Sequence, residues 1–248
     1  MTLKRMERIS TGSYVFNKWL YGGYEKDVIT MIAGPAGSGK TNFAILVACS
    51  QAKKGNKVIF IDTEGGFSID RVRQIVGEDY EKILENILLL DPVSFDEQKK
   101  IFSNLVDKIK KEHANLIVVD GMAMLYRLKL GDARKEQDSY KIKNVNKEMA
   151  EQMRCLAEIA RKQKIPVLIT NQVYSSFVSE KEWKKGRKAE KRVNIVGGDL
   201  FKYWSKCIIQ LQNDRGKRKA LLLKHRSLPE KELNFEIRKK GIYKKGWI

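Results

Sequence analysis

"GPAGSGKT", Gly34–Thr41, sits between an apolar run, Val28–Ile32, and a second one, Phe43–Ala48. A strand that stops and a helix that starts leave unpaired backbone N–H groups at the helix N-terminus. Those donors and the helix dipole favour an anion. Glycine lets the backbone curl around a phosphate with no Cβ in the way. The spacing G-x-x-x-x-G-K-[ST] is that of a phosphate cradle. Gly34, Pro35, Ala36, Gly37, Ser38 and Gly39 would wrap the phosphates. Lys40, read as a solvent-facing point charge, would reach the β- and γ-phosphates, and the Thr41 hydroxyl would hold Mg²⁺.

Outward from the cradle the chain alternates strands and helices. "KVIFID" (Lys57–Asp62), "NILLLD" (Asn86–Asp91), "NLIVVD" (Asn115–Asp120) and "VLIT" (Val167–Thr170) are short apolar runs that read as buried parallel strands. Phe95–Lys111 places Ile101, Phe102, Leu105, Val106 and Ile109 on one helical face, and Ser139–Lys164 does the same with Ile142, Val145, Met149, Met153 and Leu156. Residues 127–138, "RLKLGDARKEQD", are polar without periodicity and read as a loop. Beyond residue 205, "CIIQLQ", "KALLLK" and "ELNFEI" are separated by the turns "NDRGKR" and "LPEK", which predicts antiparallel hairpins. The expected fold is α/β, a mostly parallel central sheet extended by C-terminal antiparallel strands. It is read as a single domain over residues 1–248, with 1–27 as an approach segment.

The net charge of +19, from 49 basic and 30 acidic residues, points to a polyanionic partner, nucleic acid first. A Lys/Glu-rich surface of a heat-adapted protein explains many charges but not the imbalance. No apolar run is long enough to span a bilayer and no signal-peptide core is present, so a cytoplasmic protein with no membrane role is expected. Cys49, Cys155 and Cys207 are far apart and form no C-x-x-C pair; they read as reduced, mostly buried thiols rather than zinc ligands.

Three further stretches carry chemistry. Asp120 ends an apolar strand at the edge of the sheet where open α/β folds bind ligands, and would hold the Mg²⁺. Glu64, in "IDTEGGF", stands where a carboxylate would orient or deprotonate an attacking water; alone it would be a solvated turn residue. Gln172, in "ITNQV", lies just beyond a strand, where an amide senses a γ-phosphate or merely caps the strand. Residues 174–198 then form a long basic segment. Tyr174, Phe177 and Trp183 interleave there with Lys184, Lys185, Arg187, Lys188, Lys191 and Arg192. Basic groups track nucleic-acid phosphates and aromatic faces stack on bases; the other reading is a solvated insert.

The order "GPAGSGKT", "IDTEGGF", "LIVVDG" followed by "LYR", and "LITNQV" followed by a long loop resembles the RecA-like recombinases of archaea and eukaryotes, most closely the archaeal RadB proteins, short paralogues of the RadA recombinase. The resemblance covers residues 9–248 and implies a RecA-like ATPase core using ATP and Mg²⁺. It implies that Glu64 and Lys40 are catalytic, that Gln172 is the sensor, that Thr41 and Asp120 hold the metal, and that Arg71 lies beside the adenine. It makes Arg127 the opening of the first DNA-facing loop and residues 174–198 the second.

Because the sequence begins almost at the core, the helix-hairpin-helix domain of full-length recombinases and the linker that hooks one subunit to the next are expected to be missing. The expected function is therefore an accessory role in recombination and repair: binding of single-stranded or branched DNA, weak and poorly DNA-stimulated ATPase activity, and no strand exchange. RadA or a junction nuclease are the expected partners. No robust filament is expected, a homodimer being the assembly left open. Two alternatives stand beside it, a nucleotide-switched interaction module and a KaiC/Sms-like regulatory ATPase. The second rests on the K-x-R pair Lys224 and Arg226, offered to a neighbour's γ-phosphate or else a basic strand end meeting DNA or solvent.

Overall fold

The computed structural model describes residues 7–175 and 193–246. The chain enters through a small two-stranded sheet, β1 (Arg8–Ile9) and β2 (Tyr24–Glu25), bracketing the helix α1 (Tyr14–Trp19). Ser13 caps α1 and its hydroxyl also donates to the carbonyl of Ile242 at 2.7 Å, joining the two ends of the described chain. Residues 1–27 thus contain more structure than an approach segment, because Phe16 and Leu20 are buried against the far end of the chain.

The main sheet is built as the apolar runs predict. β3 (Ile29–Gly34) is buried throughout and leads through the cradle to α2 (Lys40–Ala52). β4 (Lys57–Asp62) follows, then α3 (Ile69–Val76), α4 (Tyr80–Leu84) and β5 (Ile87–Leu90). Next come α5 (Phe95–Ser103), α6 (Leu105–Glu112) and β6 (Ala114–Asp120), then α7 (Met124–Lys135), α8 (Ser139–Gln163) and β7 (Val167–Ser175). After the undescribed segment, β8 (Val193–Ile195) pairs with β7, and α9 (Asp199–Trp204) leads to β9 (Ser205–Asp214), β10 (Lys217–Lys224), β11 (Lys231–Arg238) and β12 (Gly241–Lys244). The strand order is β12-β11-β10-β9-β3-β7-β6-β4-β5. From β5 to β9 the pairs are parallel; β10, β11 and β12 extend the sheet antiparallel.

Alternation along the strands makes two cores. Met31, Ile59, Ile61, Ile117 and Val119 face α5–α8, where Met149, Met153 and Leu156 meet them. Ile32, Val58, Phe60, Leu116 and Val118 face α2. Each such side chain contributes about 1.5–3 kcal/mol by leaving water. Register then levels the catalytic edge: Gly34 stands opposite Gln172, and Asp62 opposite Asp120. Among the described residues no helix is long and apolar enough to cross a membrane. All three cysteines are free, Cys49 and Cys207 buried and Cys155 half-buried.

Several expectations are corrected. Most of the stretch 127–138 is helical, not a loop, belonging to α7. Its buried stripe is Leu125, Tyr126, Leu130 and Ala133; the first two precede the polar window, and Gly131 interrupts the rest. Phe95–Lys111 is two helices broken at Asn104, so Val106 leaves the buried face and is 37% exposed. β5 is an edge strand, paired only with β4, and Leu89 is 40% exposed rather than buried. Gln172 lies within β7, not beyond a strand, because the parallel ladder with β3 runs on to pair it with Gly34, and β8 then carries the strand to Ser175.

Candidate functional site

The cradle bends as its glycines allow. Gly39, at φ +105°, begins α2 in a left-handed conformation, and a Cβ there would stand 2.5 Å from Cδ1 of Ile237. The C-terminal strands thus press on the loop that the N-terminal half supplies. Asn213 adds a hydrogen bond from its amide to the carbonyl of Gly37 at 3.4 Å. Lys40 is 7% exposed, which corrects its reading as a solvent-facing charge. Its Nζ donates to the carbonyls of Gly34 and Pro35, both at 3.1 Å. Burial pulls its pKa down, while Glu64 and Asp120 pull it back up.

Asp120 is 1% exposed. Its Oδ1 accepts a 2.6 Å hydrogen bond from the Thr170 hydroxyl, whose oxygen in turn accepts from the Gly121 N–H at 2.7 Å. Its Oδ2 is buried with no hydrogen-bond partner among the described residues. A Cβ on Gly66 would lie 3.3 Å from the Thr41 hydroxyl oxygen and 3.6 Å from that same Oδ2, so the two oxygens converge on one place. Burial raises the Asp120 pKa, the Thr170 and Thr41 hydroxyls restrain the rise, and Asp62 and Glu64 add to it. A buried carboxylate oxygen left unpaired beside a hydroxyl is a hard-oxygen donor set, and it fits Mg²⁺.

Glu64 is placed by its neighbours. Asp62 accepts from the backbone N–H groups of Glu64 and Gly66 through Oδ1, both at 3.2 Å, and from Phe67 through Oδ2 at 2.8 Å, which shapes the turn. The Thr63 hydroxyl lies 3.1 and 2.8 Å from the carbonyls of Asp120 and Gly121. Gly121, at φ +87°, passes so close that a Cβ would stand 2.5 Å from Cγ of Glu64. Gln172 donates from Nε2 to Oε1 of Glu64 at 3.2 Å, and Arg127 donates to Oε1 of Gln172 at 3.5 Å, the outer limit of a hydrogen bond. Arg127 lies on α7, not in a loop. The backbone of Gln172 accepts from Val196 N–H at 3.0 Å, and Asn171 donates to the carbonyl of Val196 at 2.8 Å. Gln172 is therefore held between Glu64 and the strand on which the chain returns from the basic segment.

Lys40, Thr41, Glu64, Gln172 and Asp120 are brought together, and the first four line a cavity of about 260 Å³ with Gly37, Arg218 and Ile237. Arg71 does not line it. Its guanidinium donates to the carbonyls of Arg238 and Lys239 at 3.0 and 2.9 Å, tying α3 to the β11–β12 turn. Lys224 and Arg226 sit at the opposite end of the strands. Lys224 donates to the carbonyl of Lys202 at 2.6 Å. Arg226 forks onto Asp27 at 2.5 and 3.0 Å, and its Nε meets Glu25 at 2.8 Å. Of the DNA-facing set, Tyr174 is exposed on β7; Phe177, Trp183, Lys184, Lys185, Arg187, Lys188, Lys191 and Arg192 lie outside the described residues.

A hollow of about 630 Å³ at that far end gathers Lys54, Lys110, His113 and Lys164. It lies where α2, α6 and α8 end, so the three lysines complement helix carbonyl ends. No motif in the sequence marks Thr170, Gly121 or Arg218, whose positions depend on strand register; Asp62 carries a local signal, an aspartate opening a glycine turn.

The Rad51 family model matches residues 3–245. Relatives carry the name DNA repair and recombination protein RadB. That of Methanobrevibacter smithii is 42% identical over 240 residues, 95% of each chain. That of Methanocaldococcus jannaschii is 40% identical over 223 residues, 90% of this chain and 96% of its own. That of Methanothermobacter thermautotrophicus is 35% identical over 240 residues, again 95% of each. Sequence likeness of that extent, on a sheet whose edge gathers a phosphate cradle and two carboxylates, makes the chain a member of the Rad51 family.

Proposed function

We propose that the chain is a DNA-binding, ATP-binding accessory protein of homologous recombination and repair, with weak ATPase activity and no strand exchange of its own. The observation that carries this is the position of Gln172, which touches Glu64 with its side chain and, with its backbone, Val196 just after the return strand β8. A change at the nucleotide reaches the ends of the basic segment through one residue. The names of the relatives support the recombination setting.

In this reading ATP lies along the cradle with its phosphates on the N-terminus of α2. Lys40 leaves the carbonyls of Gly34 and Pro35 for the β- and γ-phosphates. Thr41 and Asp120 hold the Mg²⁺, which supplies charge neutralisation at the phosphates when bound. Glu64 accepts a proton from the attacking water, and Gln172 lets go of Glu64 as it meets the γ-phosphate. In this reading both Lys40 and Glu64 change partners when the nucleotide binds. DNA, single-stranded or branched, is held by Lys184, Lys185, Arg187 and Lys188, with RadA or a junction nuclease as the protein partner and without a robust filament.

The test is a titration of single-stranded DNA with and without Mg–ATP at several salt concentrations. Mg–ATP should tighten binding, and replacing those four basic residues by Ala should reduce the slope of log K against log salt by about 0.7–0.9 per lost contact. DNA affinity indifferent to both nucleotide and the four substitutions overturns the proposal. A protein-partner response to ATP without DNA binding would instead make the chain a nucleotide-switched interaction module.

A further inference from the structure

Arg218 is the second residue of β10. The register sets it opposite Asn213 on β9 and opposite Phe235 on β11. Directly opposed residues of an antiparallel pair project to the same face. On that face Asn213 reaches Gly37 of the cradle, Phe235 packs on Phe43 of α2 with ring centroids 5.5 Å apart, and Ile237 presses on Gly39. Arg218 accordingly stands over the start of α2 and lines the cavity with Lys40, Thr41, Glu64 and Gln172. It is half-buried, and its Nε is buried with no hydrogen-bond partner among the described residues. Among the described residues its guanidinium forms no ion pair, whereas those of Arg8, Arg226 and Arg238 each meet a carboxylate.

We propose that Arg218 contacts the terminal phosphate of the bound nucleoside triphosphate from within the same subunit, an arginine finger supplied in cis. The inference rests on the cradle reading and assigns the site a residue beyond it. A guanidinium presents forked donors that match phosphate oxygens, and it keeps its charge when half-buried. Lys224 and Arg226 cannot serve the same cradle: Lys224 ends β10 and Arg226 follows it at the opposite end of the strands, where Arg226 is held by Asp27 and Glu25. In hydrolysis the water oxygen forms a bond to the γ-phosphorus as the bond to the bridging oxygen breaks. That bond's electron pair leaves on the diphosphate, and the water proton goes to Glu64. Arg218 makes no covalent bond; it offsets charge spreading over the transferring oxygens.

The test compares the full chain with Arg218→Ala, Arg218→Lys and Lys40→Ala. Mg–ADP and Mg–ATP binding are read by displacement of a fluorescent nucleotide, and phosphate release over a series of protein concentrations. Arg218→Ala should bind Mg–ADP as the unaltered chain does, lose its preference for Mg–ATP, and turn over on the order of a hundredfold or more slowly. Arg218→Lys, with charge but no fork, should fall between them and melt with the unaltered chain, which keeps the test valid if the alanine variant folds poorly. Turnover per subunit should not depend on protein concentration. Unchanged ATP preference and turnover in both Arg218 variants overturn the inference while leaving the cradle in place. Turnover per subunit that rises with concentration overturns it as well, in favour of a neighbour's residue. A Lys40→Ala variant that binds both nucleotides as tightly as the unaltered chain overturns the cradle reading, and this inference with it.

Discussion

Gln172 and Glu64, 108 residues apart in sequence, share a 3.2 Å hydrogen bond from the amide Nε2 to the carboxylate Oε1. The carboxylate proposed to accept the water's proton is thus held at rest by the residue whose backbone meets the far end of the basic segment. Replacing Gln172 by Ala should leave Mg–ATP affinity within a few fold of the unaltered chain and abolish the effect of ATP on DNA affinity. Glu64→Gln should do the reverse, lowering phosphate release by roughly 10²–10⁴ while the coupling to DNA survives. Parallel DNA titrations and phosphate-release assays distinguish the two.

Gly121 tests how closely the Glu64 turn is fitted. A Cβ at that position meets Cγ of Glu64 at 2.5 Å and the Thr63 hydroxyl at 2.6 Å, on a backbone at φ +87°. Gly121→Ala should destabilise the fold by about 1–3 kcal/mol and displace Glu64, so the urea midpoint and the turnover fall together. Nucleotide binding, which Lys40 governs, should persist.

Asp120 carries a pKa raised by burial. Its folded pKa lies above its unfolded one, so ionising it costs stability as pH rises through the folded value. Asp120→Asn removes that cost and keeps an oxygen for the Thr170 hydroxyl. At neutral pH the ligand-free variant should melt no lower than the unaltered chain, and by roughly 2–4 °C higher for each kcal/mol recovered. Its nucleotide binding should lose its Mg²⁺ dependence. In the unaltered chain, Mg²⁺-dependent binding should weaken on acidification before pH reaches the ordinary aspartate value of about 3.9. Thermal melts and nucleotide titrations with and without Mg²⁺ read both effects.

Arg226 is expected to matter for folding and not for hydrolysis. Glu25 is 2% exposed and is met by Arg226 at 2.8 Å and Arg8 at 3.3 Å. Arg226→Ala leaves that carboxylate with Arg8 and, at 3.9 Å, the His225 ring, and should cost about 1–3 kcal/mol, measured by denaturant unfolding. Turnover at saturating ATP should be unchanged. A fall in turnover with stability intact would return the K-x-R pair to the service of a neighbouring subunit.

The cradle, Asp120 at its strand end and the central strands were legible because their signals are local: a fixed spacing, or a run of β-branched residues ending in a carboxylate. α7 was not, because its buried stripe begins at Leu125 and Tyr126, ahead of the polar window, and Gly131 breaks it. The exposure of β5 was not legible either, since an edge strand and a buried one share the same composition. Thr170, Gly121 and Arg218 acquire their roles only from the register of strands distant in sequence, which no local pattern encodes. The resting contacts of Lys40 belong to the same class, since burial is decided by what packs over the loop.

The hydrogen bond from Ser13 to Ile242 has a bearing on how the protein is made. A ribosome releases Ser13 and Phe16 early, yet their partners Ile242 and Phe235 emerge near the other end of the chain. Phe43 and Gly39 wait for Phe235 and Ile237 in the same way. Contacts of such long sequence separation close late and slowly. The parallel strands can gather during synthesis, but the helix that carries the cradle gains its cover only after β11 and β12 have left the exit tunnel. A nascent chain stalled before β11 would therefore display the complete phosphate-binding motif and still fail to hold a nucleotide.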